Sequence, residues 1–188
     1  MKNYKKNLKI LEKNNIYSKT MEHDACGVGL VVSTEGKKSR KIVEYGIEAL
    51  KSVWHRGAVD ADGKTGDGAG IHVEIPYDFF VEKIETKGHK HDNSEICVGM
   101  IFLPRDNFDA QEVCKIIIEK ELTKSSFKIY GWRQVPINTR VLGEKANSNR
   151  PEITQILFKH NDKKLVDKEL ERKLYEIRRK IEKEIIKN

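Results

Sequence analysis

The residues best suited to chemistry lie in two segments built from small side chains. The first is Asp24-Ala25-Cys26-Gly27-Val28-Gly29. A polar stretch ends directly before Cys26 and glycine follows it, so a substrate could come close to the thiol. If the chain were cut before Cys26, that residue would carry a free α-amine beside its thiol. An α-amine titrates near ~8 and a thiol near ~8.5, so the amine could act as the base that the thiol needs. One residue would then supply both nucleophile and proton acceptor. The plain alternative is a small core residue heading a buried strand, since free cysteine is among the most buried residue types.

The second segment runs from His55 to Gly70 and holds five glycines in sixteen residues, at 57, 63, 66, 68 and 70. A nucleophile such as Cys26 needs a glycine-lined approach and a cation to hold a substrate carboxylate. Gly57 fits the first need, and the rigid fork of Arg56 fits the second. Asp67 offers a carboxylate for a substrate ammonium group. The plain alternatives are a surface ion pair for Arg56 and a tight loop for the glycines.

Three look-alikes in this segment fail. Gly63-Lys64-Thr65 resembles the end of a P-loop, but position 58 is alanine where that motif needs glycine. Asp60 to Gly68 resembles a calcium loop, yet glycine stands at its fourth position instead of the sixth, and Lys64 takes a ligand slot. Gly66, Gly68 and Gly70 lack the strand–turn–helix setting of a dinucleotide fingerprint.

The surrounding pattern supplies the elements that position these residues. Gly27 to Val32 is a short, β-branched apolar run, read as a buried strand. Residues 39–53 place Ile42, Val43, Ile47, Leu50 and Val53 at helical spacing, which predicts a helix packed on that strand. The 55–70 segment reads as loop, Ile71 to Ile75 as an alternating strand stopped by Pro76, and Tyr77 to Ile84 as a short helix. A polar loop over 86–94 leads to a strand, Ile96 to Leu103. Ala110 to Leu122 follows as a helix with Val113, Ile116, Ile117 and Leu122 inward. Phe127 to Val135 and Ile153 to Phe158 read as strands. Residues 163–187 read as a charged helix with an apolar stripe at Leu165, Leu170, Leu174, Ile177, Ile181 and Ile185. Residues 1–25 read as a polar leader, weakly amphipathic at Leu8, Ile10 and Leu11. This alternation points to a layered fold of helices and sheet.

Composition narrows the class. The 188 residues are 38% hydrophobic and 35% charged, enough for one domain or part of a larger one. No run approaches the ~20 apolar residues of a membrane span, and the start lacks a secretory core, so no membrane partner and a cytoplasmic location are expected. Three widely spaced cysteines argue against a disulfide framework. No Cys/His cluster suggests a structural zinc site. The net charge is +7, but lysine alternates with glutamate and no RNA-binding aromatic signature accompanies it, so no nucleic-acid partner is expected.

DACGVG, followed some twenty-five residues later by HRGAVDADGKTGDGAG, closely resembles the amidotransferase domain of the glutamate synthase family. HRG downstream of a Cys-Gly is shared across class II glutamine amidotransferases; the ADGKTGDGAG extension is more particular to glutamate synthases. The resemblance is strong over residues 22–80. It continues loosely to 188, including Gly131-Trp132-Arg133-Gln134-Val135-Pro136.

The resemblance implies an α+β fold, here part of the four-layer αββα sandwich of the N-terminal nucleophile hydrolases. It implies that residues 1–25 are a propeptide and that 26–188 are the first portion of the domain. Cys26 would attack the side-chain amide of glutamine, the expected substrate, to give ammonia and a glutamyl thioester that water hydrolyses. Arg56 and Gly57 match the pocket beside the nucleophile; Asp67 matches the adjoining loop. The other implied partners are the rest of a glutamate synthase, its synthase domain and an electron-donating subunit. Ammonia would travel to the synthase domain and join 2-oxoglutarate there. FMN and an iron–sulfur cluster belong to the full-length enzyme, with no cofactor expected in this chain.

One departure matters. The family completes its oxyanion hole with an Asn-Gly pair in a segment resembling HNGE, and no Asn-Gly pair occurs in this sequence. A later segment resembling STNTFP is also missing. The expectations are therefore a truncated domain, inactive alone and unable to remove its own leader. With sheet edges and the apolar face of 163–187 uncovered, marginal stability or self-association is also expected. A split enzyme completed by a second chain, and a non-catalytic binding remnant using the basic C-terminal helix, are the competing readings.

Overall fold

The structure, a computed structural model, describes residues 2–14, 27–54 and 57–187. It divides into two compact units. Residues 1–58 with 67–71 form the first, and residues 59–66 with 72–188 the second.

In the first unit, helix α1 spans Lys2–Lys13 and helix α2 spans Arg40–Ser52. Ser39 starts α2: its side chain accepts a hydrogen bond from the Lys41 amide at 3.2 Å, satisfying one of the donors left open at a helix start. The expected α2 helix is present, but none of its residues is buried. The expected strand over Gly27–Val32 is not: the run is unpaired, with Val28 92% and Leu30 86% exposed. Ile71–Ile75 is likewise unpaired and exposed. An apolar or alternating run records what a strand would bury, not whether a neighbouring strand exists. Among the described residues the named strands pair only with one another, so both runs stay single. Part of the expected leader, residues 2–13, is helical, which its weak amphipathic patch did not convey.

The second unit contains a three-stranded antiparallel sheet in the order β1-β3-β2, where β1 is Cys97–Leu103, β2 is Phe127–Gln134 and β3 is Glu152–His160. Cys97 lies opposite Phe158, and Phe127 opposite His160. The register shifts between Ile129 and Gly131, so Tyr130 is the extra residue of a β-bulge.

Alternation along β3 divides the core in two. Ile156 and Phe158 point to helices α4 (Phe108–Lys124) and α6 (Asp167–Lys187), where they pack with Cys97, Ile118, Leu122, Phe127, Leu170 and Ile177. Leu157 points the other way, onto helix α3 (Tyr77–Glu85), with Phe80, Ile84, Ile96 and Tyr130. The α+β class is therefore as expected. Of the four-layer sandwich, the described residues form one sheet with helices on both faces.

Two expectations about helix faces need correction. On α4, Val113 and Ile116 are exposed, while Ile117 is buried together with Gln111, Ile118 and Leu122. Gln111, Ile118 and Leu122, seven and then four residues apart, define that inward stripe with Ile117 next to Ile118, and Val113 and Ile116 fall outside it. Gln111 was passed over as polar. Its amide donates to the carbonyls of Pro104 at 2.8 Å and Arg105 at 3.2 Å, which makes its burial tolerable. The apolar stripe of α6 is also covered: Leu170 and Ile177 are buried in the core shared with α4.

A polar tether fixes the loop after α3 to the sheet. Lys159 is buried on β3, and its ammonium reaches Asp92 at 2.6 Å. Lys163 at 3.0 Å and the Ser94 hydroxyl at 2.5 Å complete the shell around that carboxylate. The hydrogen bond from Lys159, then those from Ser94 and Lys163, hold Asp92 well below the usual carboxylate range. A carboxylate stabilised in the native state adds stability that is complete above its ordinary pKa of ~4. That stability is lost as the pH falls toward the lowered native value. We expect Asp92→Asn to lower the melting temperature most near neutral pH, with the gap to wild type closing below about pH 4. Melting curves from pH 7 to 3 check this; a gap independent of pH would contradict it.

Candidate active site

Of the candidate site residues, Gly57 and Asp67 lie among the described residues; Cys26 and Arg56 lie outside them. Gly57 lies five positions past Ser52, the last residue of α2, and its amide donates to the Trp54 carbonyl at 3.0 Å. Its neighbour Ala58 is tied to Asp67 twice. The Ala58 amide donates to Asp67 Oδ2 at 2.9 Å, and the Asp67 amide donates to the Ala58 carbonyl at 3.2 Å. Ten positions apart in sequence, Gly57 and Asp67 are therefore gathered at one neck through Ala58. One Asp67 oxygen serves the loop itself.

The loop tip, residues 59–66, is closed by its own backbone. Val59 bridges Gly66, the Asp60 amide donates to the Thr65 carbonyl at 2.7 Å, and the Gly63 amide donates to the Asp60 carbonyl at 2.9 Å. Gly63 sits at φ +68°, the left-handed region that side chains other than glycine enter at a cost.

The acidic residues that mimic a calcium loop are spent inside it. Asp62 Oδ1 accepts from the amides of Lys64 (2.9 Å) and Thr65 (2.6 Å), and Oδ2 accepts from the Thr65 hydroxyl at 2.5 Å. The Thr65 hydroxyl, then the Thr65 and Lys64 amides, push the Asp62 pKa far down. Asp60 Oδ1 takes the Ala61 amide at 2.7 Å, and Oδ2 takes the Lys145 ammonium at 2.5 Å. That Lys145 hydrogen bond, followed by the Ala61 amide, lowers Asp60 in turn.

Sequence reasoning placed no role on Asp60, Asp62, Thr65 or Lys145. The local signal was available, because an Asp bonding to amides two and three residues on is a common turn device. Lys145 is 85 residues from Asp60, and nothing in the sequence joins the two.

Cys97 differs from a nucleophile in kind. Cys97 is buried on β1, and burial, helped by the carboxylates of Glu95 and Glu171, pushes its pKa up to about 12. It is a neutral core thiol. Among the described residues no three His, Cys, Asp or Glu side chains converge as a metal site, and no helix is long and apolar enough to cross a membrane.

Comparison with known proteins identifies the framework around this loop. The model of the glutamine amidotransferases class-II family matches residues 26–188. The glutamate synthase (NADPH) large chain of Azospirillum brasilense is 53% identical over 182 residues, covering 97% of this chain and 12% of that protein. The ferredoxin-dependent glutamate synthase of Cyanidium caldarium is 43% identical over 165 residues, covering 87% of this chain and 10% of that protein. The ferredoxin-dependent glutamate synthase 2 of Synechocystis is 38% identical over 155 residues, again 10% of its length. The chain thus spans about a tenth of the length of these relatives. On a family match that starts at Cys26 and runs through the glycine loop to residue 188, the chain belongs to the class-II glutamine amidotransferases, as an amidotransferase domain of the glutamate synthase type.

Proposed function

We propose that this chain carries the glutamine-hydrolysing chemistry of a glutamate synthase, with Cys26 as nucleophile. The observation behind the reading is that the family match begins at Cys26 itself. On this reading residues 1–25 are a removable leader. With the leader gone, the α-amine of Cys26 takes the thiol proton and the sulfur attacks the side-chain carbonyl carbon of glutamine. The carbon–sulfur bond forms, and the carbon–nitrogen bond breaks as the amine returns its proton to the departing ammonia. Water then adds to the thioester, releasing glutamate and restoring the thiol. Arg56 pairs with the α-carboxylate of glutamine, Asp67 takes its ammonium, and Gly57 lets the substrate lie against backbone.

The partners of this reading are glutamine and the rest of a glutamate synthase, where ammonia would meet 2-oxoglutarate. FMN and an iron–sulfur cluster would work there. A cluster needs about four cysteine thiolates. The sequence has three cysteines, and one of them is the buried, neutral Cys97, so these residues do not fit such a group and no step passes through it.

The charge that develops on the amide oxygen needs a donor that these 188 residues do not hold as an Asn-Gly pair. Losing one oxyanion donor typically costs about a hundred- to thousandfold in rate. We expect the 188-residue polypeptide to release ammonia from glutamine at least about a hundredfold more slowly than the same polypeptide joined to, or mixed with, a segment carrying that pair. Equal rates with and without the segment would sink this account of the oxyanion hole. No ammonia release from the completed protein would sink the glutamine reading.

A further inference from the structure

The tip of the glycine loop is gripped from outside by a segment more than seventy residues further along. After a short 3₁₀ turn, Thr139–Val141, the backbone passes Gly143 and enters the six-residue helix α5, Glu144–Asn149. Three contacts bind this turn to the tip. Lys145 donates to Asp60 Oδ2 at 2.5 Å. The Ala146 amide donates to the Thr65 hydroxyl at 3.3 Å, so the hydroxyl that reaches Asp62 also caps α5. The third contact is steric: a Cβ on Gly143 would overlap Thr65 Oγ1 and Asp62 Oδ2 and come within 2.5 Å of the Thr65 nitrogen.

These contacts converge on residues that shape the tip. Asp62 Oδ1 is the acceptor for the Lys64 and Thr65 amides. The backbone of Asp60 bonds Gly63 and Thr65, while its side chain takes the Ala61 amide and Lys145. Without Lys145 and the close approach at Gly143, the tip keeps its internal bonds but loses the outside reference that selects one arrangement.

We propose that the Leu142–Ala146 turn is a clamp that sets the glycine loop for glutamine, with Gly143 and Lys145 as its positioning residues. The inference rests on the reading that this loop receives glutamine. Neither residue touches the substrate; both act through Asp60, Asp62 and Thr65.

The test uses the full 188-residue chain as wild type, Gly143→Ala, Lys145→Ala and Lys145→Arg, with two measurements on each. Amide hydrogen exchange at Lys64 and Thr65 reports the clamp directly, and titration with L-glutamine reports what the clamp serves. Lys145→Ala should speed exchange at both amides and weaken glutamine binding about three- to fivefold, the worth of a well-formed surface pair. Lys145→Arg should restore binding to within about twofold, and neither variant should shift the melting temperature. Gly143→Ala should weaken binding by about tenfold or more, because the added methyl cannot be accommodated without moving the tip. Wild-type exchange and affinity in Gly143→Ala and Lys145→Ala would overturn the clamp. Failure of Lys145→Arg to restore affinity would reject the charge contact as its basis. If wild type bound no glutamine while Gly143→Ala still released Thr65, the glutamine reading would fall, taking the clamp's assigned purpose with it and leaving only a loop anchor.

Discussion

Replacing Cys26 by serine in a protein that also carries the Asn-Gly segment should lower kcat for ammonia release by on the order of 10⁴-fold or more, with KM for glutamine little changed. The α-amine suits a thiol because the two titrate within about a unit of each other, so proton transfer between them is nearly balanced. A serine hydroxyl is far less acidic, and the same amine cannot generate its anion to a useful extent. Binding is expected to survive because the groups assigned to it (Arg56, Gly57 and Asp67) are untouched. Cys97 cannot take over, since burial holds its thiol protonated with a pKa of about 12. Steady-state kinetics on the pair decide the matter. A serine variant within tenfold of the parent would remove Cys26 from the chemistry, and a large rise in KM at unchanged kcat would make it a binding residue instead.

Leu157→Ala should be the most damaging single truncation in the sheet, costing roughly 2–5 kcal/mol. Leu157 is completely buried at the middle of β3, the strand that holds both neighbours, opposite Val98 on one side and Gly131 on the other. Its side chain fills the space among Phe80, Ile84, Ile96 and Tyr130, and the cavity left behind is walled by α3 and by Ile96 and Tyr130 with little room to collapse. The matched control is Ile116→Ala on α4, where the side chain is 61% exposed and the change should stay within about 0.5 kcal/mol. Urea denaturation of both variants measures the difference directly. Comparable losses at the two positions would mean that the α3 side of the sheet contributes little to stability.

The same pair of residues shows how far the sequence could be read. Periodicity placed α2, α3, α4, α6 and all three strands within a few residues, because each is a local pattern that its own side chains declare. It misassigned Ile116 and Val113, since an apolar residue one step outside the buried stripe looks no different in sequence from one inside it. It also assigned pairing to Gly27–Val32 and Ile71–Ile75, where the deciding quantity is a neighbouring strand, which a local pattern does not contain. The site divides in the same way. The glycine loop was legible from composition alone, and the turn chemistry of Asp62 could have been. The Lys145–Asp60 contact was not, because it depends on how two distant segments fold back on each other.

The strand order β1-β3-β2 carries a consequence for how this unit is made. Neither β1 nor β2 pairs with the other; each waits for β3, whose residues 152–160 emerge from the ribosome last of the three. Both pairings close over long stretches of chain, as the opposition of Cys97 and Phe158 shows, and long-range closure is the slow step in forming a sheet. During synthesis the helices α3 and α4 can form early, but the two outer strands remain without hydrogen-bonding partners until the middle one arrives. For that interval their open edges are exposed to other nascent chains, so the period before β3 appears is when chaperone protection matters most.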